Sequence, residues 1–284
     1  TPLGDPPLFL GFLKGVDFFW TTKAMFLPML FLIVSLLIIF YIYDTIQYKK
    51  EGNLPMPSNP EKIGIKGSFN LLLILGVVFS VLLSGFWKPH IEFTLYHVHV
   101  ELQNIIRDVL LLALAYASWK FTSKQIRQAN EFNWFPILEV AKLFAGIFIT
   151  IIPAIAILKA GTSGALALIV NSVSSDSGPV NYMYFWLTGI LSSFLDNAPT
   201  YLVFFNTAGG DPQVLMGELS NTLLAISAGA VFMGANTYIG NAPNFMVKSI
   251  AESSGIEMPS FFGYFLYSLV ILFPLFGLVS WIFF

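Results

Sequence analysis

Apolar segments long enough to cross a lipid bilayer recur along the whole chain, and they limit its fold more than any other feature. They cover roughly 8–20, 24–43, 69–86, 104–119, 135–158, 219–247 and 260–283. Most are close to the ~20 residues that a membrane-spanning helix needs. Hydrophobic residues make up 56% of the chain and charged residues 11%, so a soluble core would leave much apolar surface in water. The sequence therefore predicts an all-α polytopic membrane protein.

A short motif, T-x-x-G-[D/N]-x-P, occurs twice and interrupts this apolar pattern. The first copy consists of Thr1, Gly4, Asp5 and Pro7, and the second of Thr237, Gly240, Asn241 and Pro243. A Phe-Phe pair and a long apolar segment follow each copy. Paired interruptions of this kind are typical of the binding sites of secondary transporters, because a broken helix turns free carbonyl groups toward a cavity.

The stretch 182–207 is apolar at both ends but polar in its middle. Lys-rich and Arg-rich loops after residues 43 and 119 are placed in the cytoplasm by the positive-inside rule. A single crossing by 182–207 would put Lys248 on the outer side, against that orientation. We therefore expect a re-entrant helical hairpin that enters and leaves from the outer side; two short helices packed on the outer surface are the alternative.

These segments predict an inverted-repeat secondary transporter with broken transmembrane helices. Residues 1–43 form the end of a first repeat, a broken helix plus a closing span, and 44–66 form a cytoplasmic linker. Residues 67–284 form the second repeat, with the re-entrant hairpin at 182–207 and a broken helix at 219–253. The first copy is much shorter than the second, so roughly 150–200 further residues of it are expected upstream; a natural half-length protein is the alternative.

Polar residues in the two interruptions could hold a cation at membrane depth. A buried carboxylate such as Asp196 marks an ion or proton path, and Ser193, Asn197 and Thr200 add oxygen atoms beside it. Asn236, Thr237 and Asn241 lie in the opposite interruption. We expect Na⁺ at Asp196, Asn197, Asn236 and Asn241, although these side chains could instead only cap broken helices. Asp5 corresponds to Asn241 and is either part of a second ion site or a turn residue.

Several function classes are excluded by the sequence. The chain contains no Cys, which rules out disulfides and Cys-based catalysis, and its 14 Lys and Arg residues are too scattered for a nucleic-acid partner. Sequence motifs of hydrolases, zinc proteases and phosphate-binding loops do not occur in the chain. We therefore expect no enzyme and no cofactor other than a transported or coupling Na⁺.

The motifs S-S-F-L-D-N-A-P-T (192–200) and G-A-N-T-Y-I-G-N-A-P-N (234–244) resemble a hairpin tip and a broken helix of the ion transporter superfamily. More narrowly, they resemble NhaD-type sodium/proton antiporters and the related citrate-transport group. The resemblance implies an elevator-type carrier, usually a homodimer, in the lipid bilayer of a cell membrane such as a bacterial inner membrane. Carried over residue by residue, it places these residues at the site: Asp196, Asn197, Thr200, Asn236, Thr237, Gly240, Asn241 and Pro243.

Three functions follow as hypotheses. The first is Na⁺/H⁺ exchange, which requires a carboxylate that binds Na⁺ and a proton alternately, and the fixed charge of Asp196 favours a cation. The second is Na⁺-coupled transport of citrate or another carboxylate. The third is a membrane scaffold that transports nothing, whose stability sodium would not change.

Overall fold

The structure, a computed structural model, describes residues 2–51, 64–95, 98–150, 153, 156–157, 160, 163–164, 167–175 and 178–284. Two predicted segments lie partly outside these residues: the middle of the linker 44–66 and the end of the apolar segment 135–158.

Helices dominate the described residues. They are α1 (Pro6–Leu13), α2 (Phe18–Glu51), α3 (Phe69–Phe86), α4 (Leu102–Phe121), α5 (Lys124–Ala129), α6 (Phe135–Thr150), α7 (Ala167–Ser172), α8 (Asn181–Phe194), α9 (Asn197–Thr207), α10 (Pro212–Met216), α11 (Ser220–Met233), α12 (Ala242–Ser253) and α13 (Phe261–Phe283). Two short antiparallel hairpins accompany them, β1 (Glu92–Leu95) with β2 (Val98–Glu101), and β3 (Ser174–Ser175) with β4 (Gly178–Pro179).

Within the described part of the chain, three helices are long and apolar enough to cross a membrane: Trp20–Lys50, Phe69–Phe86 and Phe261–Phe283. Most apolar side chains of these three helices lie exposed on the surface of the protein, as expected for surfaces that contact lipid. The predicted fold class, an all-α membrane protein, is confirmed; the inverted repeat stays a prediction.

The chain divides into two compact units, one of Thr1–Gly52 with Trp134–Phe284 and one of Asn53–Asn133. In the smaller unit, α3 packs against α4 through a polar contact. The Ser118 hydroxyl donates to the side-chain oxygen of Asn70 at 2.7 Å, and the Asn70 amide donates to the Thr122 hydroxyl at 2.9 Å. The residues that form the candidate site all belong to the larger unit.

Helix α2 is continuous over 34 residues, which makes it about 51 Å long at 1.5 Å per residue. It extends through residues 44–51, where the sequence analysis placed the start of the linker. Residues 44–51 contain neither Gly nor Pro, and Lys49 and Lys50 in the last turn favour a helix C-terminus. Helix α2 therefore ends later in the chain than the hydropathy pattern predicts.

Residues 181–207 form a helical hairpin from α8 and α9. Tyr184, near the start of α8, and Phe204, near the end of α9, have ring centroids 6.2 Å apart, so the two helices run antiparallel. Leu195 and Asp196 lie between them and are called the hairpin tip below. The helix–turn–helix shape agrees with the sequence analysis, whereas its depth in a bilayer stays a prediction.

Helices α8 and α11 run parallel and touch along their backbones. A Cβ atom at Gly229 would collide with the carbonyl oxygen of Phe185, and one at Gly189 would collide with the side chain of Met233. Nearer the ends of the helices, the Ser193 hydroxyl donates to the Met233 carbonyl at 2.9 Å. Residues 225–230 of α11 are all buried, so this helix lies in the middle of the core. Both helices therefore end side by side.

Helix α1 runs parallel to α9. Asp5 directly precedes α1 and accepts a hydrogen bond from Asn197, the first residue of α9. One to two turns further along, Gly11 of α1 faces the hydroxyl of Tyr201 on α9 so closely that a Cβ would collide with it. Since α9 is antiparallel to α8, and α8 is parallel to α11, α1 runs opposite to α11.

Helix α13 packs antiparallel to α8. Near the start of α8 the indole N–H of Trp186 donates to the Ser280 hydroxyl at 3.1 Å, close to the end of α13. At the other end, the rings of Phe194 and Phe265 have centroids 5.5 Å apart.

The region 219–253, predicted as a broken helix, contains two helices with an interruption between them, and their path through a membrane stays a prediction. Helix α11 ends at Met233, a 3-10 turn covers Gly234–Asn236, and α12 begins at Ala242. Residues 234–241 are called the second break, and residues 2–5, which precede α1, the first break. Glycine and proline explain the interruption, because Pro243 fits only the first turn of a helix and glycine weakens a helix interior.

Candidate ion-binding site

Asp5 lies at the centre of the contacts between the first break, the hairpin and the second break. The side-chain amide of Asn197 donates to one carboxylate oxygen at 3.1 Å, and that of Asn241 donates to the other at 3.3 Å. Asp5 is the N-cap residue of α1, yet its side chain makes no capping hydrogen bond. The carboxylate therefore joins three elements and does more than close a turn.

Helix ends of both kinds converge around this carboxylate. Asp5, Asp196 and Asn241 are the N-cap residues of α1, α9 and α12. Helices α8 and α11 reach the same place with their C-terminal ends, since the hairpin tip follows α8 and the second break follows α11. Helix N-termini carry partial positive charge and C-termini partial negative charge. The arrangement therefore offers both donors for an anion and carbonyl oxygens for a cation.

The two copies of the motif adopt the same local conformation. Asp5 has φ −147° and ψ 128°, and Asn241 has φ −155° and ψ 135°. A proline occupies the first turn of the helix after each of them, and neither side chain caps its own helix. The likeness of the two sequences thus extends to the backbone.

Asp196 has a different local role from Asp5. Its carboxylate accepts from the backbone N–H of Ala198 at 3.4 Å and so caps α9. The next residue, Asn197, donates to the Asp5 carboxylate, so Asp5 and Asp196 lie at adjoining helix N-termini. Among the described residues, no Lys, Arg or His lies within ion-pair distance of either carboxylate.

Ser193 ties the end of α8 to the second break. Its hydroxyl accepts from the Asn236 amide at 2.9 Å, and its carbonyl accepts from the Thr237 hydroxyl. The Thr237 hydroxyl oxygen in turn accepts from the backbone N–H of Gly240 at 3.1 Å. Ser193, Asn236 and Thr237 are at most 1% exposed. These bonds hold the second break tightly against the hairpin.

Gly240 lies where three carbonyl oxygens converge. A Cβ at this position would be 2.5 Å from the oxygen of Gly234, 2.9 Å from that of Ser192 and 3.1 Å from that of Ser193. The Gly234 oxygen accepts from the Asn244 amide at 2.9 Å. A residue larger than glycine would push these oxygens apart, so the cluster depends on Gly240.

Two buried amide oxygens near these groups have no hydrogen-bond partner among the described residues. They are Oδ1 of Asn236 and Oδ1 of Asn241. Leaving such an acceptor without a donor costs about 1–3 kcal/mol. Amide and carbonyl oxygens are also ligands that hard cations prefer. The site therefore has more hydrogen-bond acceptors than donors to pair with them.

Two residues predicted for the site, Thr200 and Pro243, belong neither to the contacts of Asp5 nor to those of Ser193 with the second break. The Thr200 hydroxyl is fully buried but donates to the Asp196 carbonyl at 3.0 Å, within its own helix. Pro243 is exposed in the first turn of α12. The structure brings together Asp5, Asn197 and Asn241 around one carboxylate, and Ser193, Asn236, Thr237 and Gly240 in the adjoining contact.

A family model, CitMHS_2, described as putative citrate transport, matches residues 1–284. The chain belongs to this family. No curated protein and no solved structure matched it. Membership in CitMHS_2 confirms the resemblance to the citrate-transport group and identifies the chain as a member of a membrane transport family.

Two aromatic residues at the second break of this CitMHS_2 chain were not predicted for the site: Tyr238 within the break and Tyr264 on α13 beside it. The rings of Tyr238 and Tyr264 are stacked, with centroids 4.3 Å apart and an interplanar angle of 23°. Tyr238 occupies the motif position that Pro2 occupies in the first copy, and this difference between the copies is visible in the sequence. That difference could not reveal the stacking partner, because Tyr264 lies on another helix.

Proposed function

We propose that this chain carries the ion-binding site of a Na⁺/H⁺ antiporter, at which Na⁺ and protons bind alternately to Asp5 and Asp196. The observation that carries the proposal is the bridge formed by Asp5, whose two carboxylate oxygens bond to Asn197 of the hairpin and Asn241 of the second break. A ligand bound at this carboxylate would contact all three elements at once.

The balance of charge favours a cation. The carboxylates of Asp5 and Asp196 lie at adjoining helix N-termini without an ion-pair partner among the described residues, and the amide oxygens of Asn236 and Asn241 have no donor there. Two adjacent negative charges with little water around them are stabilised by any bound cation. Na⁺ is a hard cation of the kind that prefers carboxylate, amide and carbonyl oxygens.

The same charges provide a reason for exchange with protons. When Na⁺ leaves, two negative groups remain close together in a desolvated site, and a proton relieves their repulsion. Na⁺ and protons therefore compete for the same carboxylates, which is the basis of antiport.

The test uses the full chain reconstituted in lipid vesicles, with an imposed Na⁺ gradient and a pH-sensitive dye inside. The wild type should show a Na⁺-driven pH change. Asp5→Asn preserves shape but removes the charge, and it should slow the change at least about tenfold, the loss expected for one charged ligand. Asp44→Asn is the matched control, because Asp44 is exposed on α2 and its exchange rate should match the wild type. Unaltered exchange in Asp5→Asn would contradict the proposal.

Na⁺-coupled transport of citrate or another carboxylate is the second candidate. It is favoured by the family description and by the donors that already hold one carboxylate, the amides of Asn197 and Asn241 at two helix N-termini. Asp5 occupies those donors, so a substrate carboxylate would have to displace it. Sodium-dependent accumulation of labelled citrate without Na⁺-driven proton movement would favour this candidate over antiport.

A further inference from the structure

Tyr264 contacts the second break in two ways. Its hydroxyl donates to the carbonyl oxygen of Ala235 at 2.9 Å, and its ring stacks on that of Tyr238. Tyr264 belongs to the first turn of α13, outside the break itself. The helix that follows the broken one therefore holds the break at two points.

Tyr238 extends this contact to the other segments around the break. Its hydroxyl donates to the carbonyl of Pro259 at 3.0 Å, in the link between α12 and α13. The ammonium group of Lys248 on α12 lies 5.5 Å from the Tyr238 ring centroid and 2.6 Å from the Glu252 carboxylate. Tyr238 is only 4% exposed. The second break, α12, the link and α13 are thus joined through one pair of rings.

The two points of contact bracket the polar residues of the break. Ala235 and Tyr238 lie on either side of Asn236 and Thr237, whose side chains both bond to Ser193. Asn236 also carries one of the two unpartnered amide oxygens. A movement of the backbone at Ala235 would shift this oxygen directly.

The first break has no equivalent aromatic pair. Alignment of the two motif copies and of the Phe-Phe pairs places Pro2 opposite Tyr238 and Thr21 opposite Tyr264. Thr21 is 1% exposed, and its hydroxyl has no hydrogen-bond partner among the described residues. The Asp5 carboxylate bonds join the first break to the hairpin and to the second break, whereas the stacked rings belong to the second break and have no counterpart in the first.

We propose that Tyr264 and Tyr238 form a clamp that fixes the second break in the geometry its cation requires, with Tyr264 as a positioning residue. The inference rests on the proposed function, since it assumes that the second break supplies ligands. Ligand atoms that are fixed in advance raise affinity and discriminate between ions of different radius. The clamp should thus set both the affinity for Na⁺ and the preference for Na⁺ over Li⁺.

The experiment measures thermal unfolding of the full chain in lipid nanodiscs against increasing NaCl or LiCl, with choline chloride to keep ionic strength constant. An ion that binds the native state raises the midpoint temperature of unfolding. The dependence of this midpoint on the ion concentration gives the apparent Kd of the ion. Tyr264→Phe keeps the stacked ring and removes the bond to Ala235. Its apparent Kd for Na⁺ should rise about fivefold, the factor for one neutral hydrogen bond, and its Na⁺/Li⁺ preference should shrink.

Tyr267→Phe is the matched control, because it removes a hydroxyl from the same helix at a position that is 61% exposed. It should keep the wild-type Kd and ion preference. Tyr264→Leu removes the stacking as well and should weaken Na⁺ binding further than Tyr264→Phe; if it fails to fold, Tyr264→Phe decides alone. If Tyr264→Phe lowers the unfolding midpoint but keeps the wild-type Kd for Na⁺ and the wild-type Na⁺/Li⁺ preference, the two rings are only a packing contact. That result would overturn the inference. A wild type without any response to Na⁺ would overturn the proposed function together with the clamp.

Discussion

Asp5 and Asp196 both precede a helix, yet only Asp196 caps one. The sequence marked both as candidate ligands and could not separate the two uses, because the residue types that cap helices are also those that bind hard cations. The direction of the Asp5 carboxylate is set by Asn197 and Asn241, which are far away along the chain. The sequence thus indicated which polar residues the structure brings together, but not this division of roles; that they bind an ion stays a prediction.

Substitutions at Asp196 should separate its cap from its charge. Asp196→Ala removes both and should destabilise the chain by about 1 kcal/mol through the lost cap. Asp196→Asn keeps an oxygen that can accept from Ala198 and should have nearly wild-type stability. If the charge contributes to ion binding as proposed, both variants should lose Na⁺ affinity to a similar extent.

The measurement is the thermal unfolding midpoint with and without NaCl. Without NaCl, Asp196→Ala should melt about 2–4 °C below Asp196→Asn, as expected for that loss in a chain of this size. Equal midpoints for the two variants would show that the bond to Ala198 does not matter for stability.

At the level of elements, the sequence predicted where helices break but not what they touch. Gly, Pro and a polar run interrupt apolar segments at the hairpin tip and the second break, and these are local signals. The parallel contact of α8 with α11 depends on Gly189 and Gly229, which could equally have been turn or lipid-facing positions. Apolar residues on every side of a membrane helix also hide which face packs.

Gly229→Ala should disrupt the contact between α8 and α11. The added Cβ meets the backbone carbonyl of Phe185, which cannot rotate away as a side chain could. A cost of about 1–3 kcal/mol is expected, as for other overpacked cores. Gly277→Ala is the matched control, because nothing lies within 4 Å of a Cβ at that helical position.

Thermal unfolding of both variants tests this packing. Gly229→Ala should lower the midpoint by several degrees, whereas Gly277→Ala should leave it unchanged or raise it, since alanine is favoured over glycine in helices by about 1 kcal/mol. A wild-type midpoint for Gly229→Ala would mean that the two helices can separate without cost.

At the level of the whole molecule, the orientation in the membrane is open to direct test, because the chain has no native Cys. Ser175 and Gln213 are exposed just before and just after the hairpin helices, and Glu257 is exposed between α12 and α13. The positive-inside rule and the antiparallel hairpin predict the first two on the outer side and Glu257 on the inner side.

Single Ser175→Cys, Gln213→Cys and Glu257→Cys variants should therefore react differently with a membrane-impermeant maleimide. In intact cells the first two should be labelled, and Glu257→Cys only after the membrane is permeabilised. Labelling of Ser175→Cys and Gln213→Cys from opposite sides would contradict the re-entrant hairpin.

The close approach of α8 and α11 also restricts how the molecule can rearrange. There is no room for a side chain at Gly229, beside the Phe185 carbonyl, or at Gly189, beside the Met233 side chain, so the two helices fit each other closely in one register. The pair is therefore suited to travel as a single rigid block. A conformational change would then alter the contacts between that block and the neighbouring segments. Hydrogen bonds such as those of Asp5 can be exchanged there for others without steric clashes.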